Sequence, residues 1–212
     1  MQGVAPPSPA DIAKTIARRD PSFRRVIKDA GPPPRRRNAR VDERFPALVR
    51  SIVYQLLATK AANTIHARVQ DACGGEVTID SILSTGYDDL RAAGLSRTKA
   101  EAMLDLAEHV SDGRISIARH GRMSDAQILH DVTAVRGIGP WTAQMYLMHT
   151  MARPDVWPAG DYGVRSGWTI LHDLDEMISE AQLRIEGDRF EGVRTEVAWY
   201  CWQAVHFARD AK

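Results

Sequence analysis

The sequence has few of the features that secreted and membrane proteins depend on. Only two of its 212 residues are cysteines, Cys73 and Cys201, and they lie too far apart in the chain to suggest a disulfide framework. No stretch approaches the apolar run of about twenty residues that a transmembrane helix needs, and the N-terminus lacks the apolar centre of a signal peptide. We therefore expect a cytoplasmic protein with a conventional hydrophobic core.

Strong net charge is also absent. The formal charge is only +1 at pH 7, which by itself does not indicate a nucleic-acid-binding protein. The charge is unevenly distributed, because residues 1–40 carry a net +7 and the remaining 172 residues therefore sum to −6. An anionic ligand of the main part of the chain would need a local site rather than a general positive field.

Metal and nucleotide motifs are missing as well. The seven histidines are scattered and form no paired ligand motif with glutamate or cysteine, and no P-loop or Rossmann fingerprint is present. Two cysteines are too few for an iron–sulfur cluster, which is held by four. We expect no metal cofactor. The histidines are His66, His109, His120, His130, His149, His172 and His206.

The most informative stretch of the chain is the segment Val135–Pro140, which lies between two predicted helices. Upstream, Ser124 and Gln127 form a capping-box pattern, and downstream Pro140 suits the first position of a helix. The two glycines of this segment, one residue apart, allow a tight reversal and leave the backbone N–H groups uncovered. Together with the start of the following helix, these groups favour an anion such as phosphate.

Two motifs then carry a resemblance to a known family. Gly137-Ile138-Gly139-Pro140-Trp141-Thr142-Ala143 resembles the hairpin of the helix-hairpin-helix DNA glycosylases, and Trp157–Arg165 resembles their catalytic-aspartate segment. The most similar branch is DNA-3-methyladenine glycosylase II. A glycine hairpin alone also occurs in many non-catalytic DNA-binding proteins, whereas the hairpin and the aspartate at this spacing form a specific combination. The resemblance implies DNA contacts at Gly137, Ile138, Gly139 and Thr142.

The resemblance also implies an architecture. It predicts an all-α, two-lobed helix-hairpin-helix glycosylase fold with the active-site cleft between the lobes. Residues 1–40 would form N-terminal helices and a basic linker that pack with the C-terminal lobe. Residues 41–152 would form the middle lobe and end with the hairpin, and residues 153–212 would carry the catalytic aspartate.

Asp161 is the candidate catalytic residue. Cleavage of an N-glycosidic bond builds positive charge on the deoxyribose, and an ionised carboxylate stabilises that charge. One carboxylate suffices when the leaving base is already cationic, as an alkylated purine is. The alternative interpretation is that Asp161 is only a helix N-cap, and both roles are compatible.

Three residues are candidates for the substrate pocket: Trp141, Met145 and Trp202. Relatives that also cleave the DNA backbone carry a lysine at the position of Trp141, so the resemblance implies a monofunctional glycosylase. The Trp141 ring could stack on an extruded alkylated base. The alternative interpretation of Trp141 is a tryptophan that packs between helices. The alternative interpretation of Trp202 is core packing in the aromatic last helix.

Two further segments have open interpretations. Leu56 lies near the end of a strongly apolar helix predicted over Phe45–Leu57, and the resemblance makes it an apolar wedge that fills the gap left by an extruded nucleotide. The alternative is a buried core leucine. The run Arg35–Arg37 either contacts DNA phosphates or belongs to a solvated linker.

The combined prediction is a monofunctional DNA glycosylase that hydrolyses the N-glycosidic bond of alkylated purines such as 3-methyladenine and 7-methylguanine during base excision repair. Its partner would be double-stranded DNA containing alkylated bases, and we expect a monomer in the cytoplasm, or at the nucleoid in a bacterium. The family resemblance also implies a monovalent cation on backbone carbonyls near Gly137–Gly139. The alternatives are a non-catalytic DNA-binding protein and a glycosylase for another lesion class.

Overall fold

In a computed structural model, which describes residues 7–210, helices joined by turns and irregular segments make up the chain, and that range contains no β-strand. Among the described residues, no helix has both the length and the apolar character needed to span a membrane. The α-helices are α1 Pro9–Arg19, α2 Arg24–Ala30, α3 Val41–Tyr54, α4 Thr59–Ala72, α5 Ile79–Ala92, α6 Arg97–Ser111, α7 Asp125–Thr133, α8 Pro140–Met145, α9 Tyr162–Leu171, α10 Glu180–Glu186 and α11 Arg194–Asp210. A π-helical turn, Tyr146–Thr150, continues α8, and short 3₁₀ helices cover Pro21–Phe23, Ile117–Arg122 and Gly187–Phe190.

The chain divides into two compact units. The terminal unit combines residues 1–36 with residues 153–212, and the middle unit comprises residues 37–152. The hairpin segment therefore belongs to the middle unit and Asp161 to the terminal unit.

The terminal unit is built around the packing of α9 against α11. The two helices approach so closely that a Cβ atom at Gly167 would lie 1.9 Å from the Cys201 carbonyl oxygen. Beside this contact, Trp168 packs edge-on against Phe23 and Phe190, with ring centroids 5.8 and 6.0 Å away. All three rings are buried, so they contribute the apolar area that holds the N-terminal helices onto α9.

The middle unit has its core on α3 and α6. Leu48, Ile52 and Val53 of α3 and Met103 and Leu106 of α6 are fully buried. The apolar positions of α3 recur at three- and four-residue intervals, which places them on one face of the helix. This face orients the C-terminal end of α3, where the chain turns toward α4.

Local signals in the sequence predict several helix ends correctly. Ser124 and Gln127 form the expected capping box at the start of α7, and Pro140 occupies the first turn of α8. Helix α4 begins at Thr59, and its N-cap is Ala58. Helix α1 begins at Pro9 with Ser8 as its cap, and residues 1–6 lie outside the described part.

Neither interpretation of the basic run Arg35–Arg37 describes Arg36. Its guanidinium Nη1 lies 2.6 Å from the Glu196 carboxylate on α11, and the two side chains are only 12% and 10% exposed. Burial raises the pKa of Glu196 and lowers the pKa of Arg36, while the attraction between the two charges opposes both shifts. Arg37 pairs with Glu43, and Arg35 is exposed. The run is thus partly a structural ion-pair segment.

We expect Arg36→Met to lower the free energy of unfolding by about 3 kcal/mol, because the substitution leaves the Glu196 carboxylate buried without its partner. Urea denaturation followed by circular dichroism measures this change. The double variant Arg36→Met/Glu196→Met should recover most of the loss, since it removes both charges. Arg35→Met provides the control at an exposed neighbour, and an equal loss in that variant would contradict the assignment.

Candidate active site

Asp161 is the N-cap of α9. Its Oδ1 atom accepts a hydrogen bond of 2.8 Å from the backbone N–H of Val164, which is the usual geometry of a capping aspartate. The carboxylate therefore stands at the N-terminal end of α9, where the helix dipole places partial positive charge. The capping interpretation is confirmed, and the cap gives the carboxylate a fixed orientation.

Trp202 on α11 contacts the same carboxylate. Its indole Nε1 donates a hydrogen bond of 2.9 Å to Oδ1 of Asp161. Two donors, one from the backbone and one from a side chain, thus meet at one oxygen and fix the plane of the carboxylate. Trp202 is half-buried rather than enclosed in the core, so its ring retains an exposed part.

Tyr162, the residue after Asp161, has a 66% exposed side chain. Sequence reasoning did not single it out, although an aromatic residue directly after a candidate carboxylate is a usable signal. An exposed ring at the first position of α9 offers a surface on which a nucleotide can stack.

The hairpin adopts the predicted reversal. Gly137 has a positive φ of +77°, and a Cβ atom there would lie 2.9 Å from the Cβ of Ala102 on α6. Ile138 is buried, and its N–H donates to the Val135 carbonyl, while the N–H of Arg136 donates to Asp105 Oδ2 at 2.7 Å. Within the described residues, this leaves the N–H groups of Gly137 and Gly139 as the hairpin donors without a protein acceptor.

Three of the hairpin carbonyls already accept hydrogen bonds. Val135 accepts from Ile138 N–H, Gly137 from the Gln55 side chain and Gly139 from Ala143 N–H. A monovalent cation at this position would therefore share oxygens that have protein donors. Residues 7–210 contain no group of three or more His, Cys, Asp or Glu side chains arranged to hold a metal ion.

Leu56 lies in the turn between α3 and α4. Helix α3 ends at Tyr54, three residues before the predicted end at Leu57, so Leu56 lies outside the helix. Leu56 has a positive φ of +53° and a completely exposed side chain. The interpretation as a buried core leucine is therefore wrong, and a leucine held in an unfavourable backbone conformation with its side chain in solvent is a feature that points to function.

The remaining predicted site residues differ in exposure. Trp141, directly after the hairpin, is 40% exposed, and Met145 is half-buried. Thr142 is buried, and its hydroxyl accepts a hydrogen bond of 2.8 Å from the side chain of Gln55. The side chains of Ile138 and Thr142 are thus buried inside the middle unit, so a ligand of the hairpin would meet backbone groups there.

Comparison with known proteins adds three similarities. The model of the HhH-GPD superfamily of base excision DNA repair proteins matches residues 49–189. DNA-3-methyladenine glycosylase 1 of Schizosaccharomyces pombe is 29% identical over 196 residues, which cover 91% of this chain and 86% of the relative. A putative DNA-3-methyladenine glycosylase of Bacillus subtilis is 26% identical over 76% of this chain, which spans only 58% of that relative.

Two solved structures of DNA glycosylases also resemble this chain. A 3-methyladenine DNA glycosylase of Schizosaccharomyces pombe in complex with abasic DNA matches with a TM-score of 0.83 and 28% identity, covering 91% of this chain and 95% of that one. A DNA-3-methyladenine glycosidase of Bacillus halodurans matches with a TM-score of 0.79 and 32% identity, covering 94% and 91%.

Proposed function

Because the chain belongs to the HhH-GPD superfamily of base excision DNA repair proteins, we propose that it is a DNA glycosylase that removes alkylated purines from double-stranded DNA. The reaction is hydrolysis of the N-glycosidic bond, with 3-methyladenine and 7-methylguanine as the representative lesions. The fixed carboxylate of Asp161 is the observation that carries this proposal.

In the proposed mechanism, the damaged nucleotide leaves the base stack and its sugar meets the Asp161 carboxylate. As the bond between C1′ and the base nitrogen breaks, the base departs with the bonding electrons and positive charge develops on the sugar. The negative charge of Asp161 stabilises that state and orients the attacking water. An alkylated purine is already cationic, so its departure as a neutral base requires no strong general acid.

The proposal assigns the other residues to binding. Phosphate would lie on the N–H groups of Gly137 and Gly139, and Leu56 would occupy the space left by the extruded nucleotide. Trp141 and Met145 would contact the extruded base. A tryptophan at position 141 has no amine with which to form a Schiff base, so the enzyme would not cleave the DNA backbone. The two free cysteines support the proposal of a reducing cytoplasmic location.

The direct test is base release from DNA containing 7-methylguanine. We expect the purified protein to liberate the free base and to leave an abasic site that is cut only after alkali treatment. Base release with immediate strand cleavage would contradict a monofunctional enzyme. Binding without release, even at a large excess of protein, would favour the non-catalytic DNA-binding alternative, and release of oxidised or mismatched bases instead would change the lesion class.

Gly139→Val tests the hairpin as a phosphate site. A Cβ atom at Gly139 would have no atom within 4 Å and φ is −89°, so the substitution should leave stability unchanged. A branched side chain would nevertheless obstruct the approach of a phosphate to the backbone N–H groups. We expect affinity for damaged and undamaged duplexes to fall alike by about tenfold, measured by fluorescence anisotropy.

Ala118→Val is the matched control, because Ala118 is an exposed residue of the middle unit away from the hairpin in sequence. Its affinity for DNA should equal that of the unsubstituted protein. Retention of full affinity by Gly139→Val would remove the hairpin from the proposed DNA-binding surface.

A further inference from the structure

Lys99 of α6 contacts the C-terminal end of α3. Its ammonium Nζ donates hydrogen bonds of 2.8 Å to the Val53 carbonyl and 2.7 Å to the Gln55 carbonyl. Carbonyls at this end of a helix have no partner within the helix, and a cation there also interacts favourably with the helix dipole. Burial lowers the pKa of the Lys99 ammonium. The Lys99 side chain thus caps the C-terminal end of α3.

Gln55 extends the same connection to the hairpin. Its side-chain Nε2 donates to the Gly137 carbonyl at 3.1 Å and to the Thr142 hydroxyl at 2.8 Å. The backbone carbonyl of Gln55 is thus held by Lys99, and its side chain is held by the hairpin. Leu56, with its positive φ and exposed side chain, is the next residue in the chain.

Helix α6 also supports the hairpin directly. Asp105 accepts the hydrogen bond from the Arg136 N–H, and the Cβ of Ala102 occupies the space beside Gly137. Lys99, Ala102 and Asp105 are separated by three residues each and therefore lie near one another on one side of α6. A single helix thereby sets the position of both the Leu56 turn and the hairpin.

We propose that Lys99 is a positioning residue for nucleotide extrusion, which holds the Gln55–Leu56 turn so that Leu56 enters the duplex at a fixed distance from the phosphate bound by the hairpin. The inference rests on the proposed function. Without the ammonium, the two carbonyls lose their donor and the turn loses the contact that offsets the unfavourable backbone conformation of Leu56. Leu56 would then sample other positions, and the damaged nucleotide would return to the stack more often.

Lys99→Met tests this role, because methionine keeps an unbranched side chain and removes the charge and donors. We expect the single-turnover rate of base release at saturating protein to fall by about 10- to 30-fold. The loss would arise because Leu56 is misplaced, while the Asp161 carboxylate is unchanged. Affinity for undamaged DNA and its dependence on salt should stay unchanged. Lys99→Arg, which can donate to both carbonyls, should restore most of the rate.

The competing role for a lysine in this region is a phosphate contact. Under that role, Lys99→Met would weaken binding to every duplex, and the slope of log affinity against log salt concentration would decrease in magnitude by about one. That outcome, or an unchanged rate of base release, would overturn the proposal. Arg97→Met is the matched control, since Arg97 is an exposed cation on the same helix that pairs with Glu101 and not with the turn.

Gln55→Met provides a second variant if Lys99→Met destabilises the protein. It breaks the contacts of the Gln55 side chain with the hairpin and should produce a similar loss of rate. The double variant should lose little more than either single variant, because both residues act through one turn. Independent, additive losses would show that Lys99 acts elsewhere.

Two readouts separate this inference from the proposed function. In a background that carries Asp161→Asn, 2-aminopurine fluorescence beside a 7-methylguanine reports extrusion without base release, and Lys99→Met should reduce that signal. In the free protein, hydrogen exchange of residues 55–57 should become faster in Lys99→Met. Unchanged exchange would overturn the positioning role, whereas absence of base release by the unsubstituted protein would overturn only the proposed function.

Discussion

Asp161→Asn should lower the single-turnover rate of base release by about 10³-fold, because it removes the negative charge that stabilises the developing cation. Affinity for DNA containing a non-cleavable abasic analogue should change little. The measurement is release of 7-methylguanine at saturating protein, combined with an anisotropy titration. Near-normal release would show that another group supplies the charge.

In this structure, the Asp161→Asn substitution can remove the charge and keep the hydrogen bonds at Oδ1. Asparagine retains an Oδ1 atom that can accept the hydrogen bonds from the Val164 N–H and from Trp202 Nε1, so both the cap of α9 and the link to α11 can persist. The thermal midpoint should therefore stay close to that of the unsubstituted protein. Asp175→Asn, which neutralises an exposed aspartate in the loop after α9, is the matched control and should keep the full rate.

Gly167→Ala should abolish the native packing of the terminal unit. The added Cβ would lie 1.9 Å from the Cys201 carbonyl oxygen and 2.4 Å from the carbonyl carbon, and both are backbone atoms that cannot rotate away. Either α9 or α11 must move, which disrupts the contacts along their whole length. We expect a cost above about 5 kcal/mol, comparable to the total stability of many domains.

Hydrogen exchange locates this effect, because amides of α9 and α11 should lose their protection. Ser166→Ala, a substitution of similar size at the preceding and half-buried position, should leave protection intact. A well-folded Gly167→Ala protein with an unchanged exchange pattern would mean that the helices approach less closely than the structure indicates.

Local chemistry explains which features the sequence predicts. The capping box of Ser124 and Gln127, the position of Pro140 and the cap at Asp161 each depend on residues within one turn of a helix, so a short pattern is sufficient. The all-helical fold agrees with the helical spacing of apolar residues and with the family resemblance. The family motif indicates Asp161 and the hairpin because their residue types are specific at that spacing.

Contacts between distant segments explain what the sequence does not predict. Arg36 and Glu196 are 160 positions apart, and nothing near either residue indicates a buried partner. The sequence around Lys99 indicates only a surface cation, because the acceptors of its ammonium are backbone carbonyls at the end of another helix and no sequence pattern marks them. Apolar periodicity alone does not predict the exposed turn at Leu56, since the position of this leucine fits the spacing of the buried residues of the preceding helix.

The capping role of Asp161 links the reaction to the least stable part of a helix. Terminal turns fray at temperatures where the rest of a protein is still folded. When the first turn of α9 opens, the Val164 N–H leaves the carboxylate, and the side chain that we propose as the catalytic group loses its orientation. Catalytic turnover should consequently decline on heating several degrees before the cooperative melting transition, and the physiological ceiling for this repair activity would be set by one helical turn.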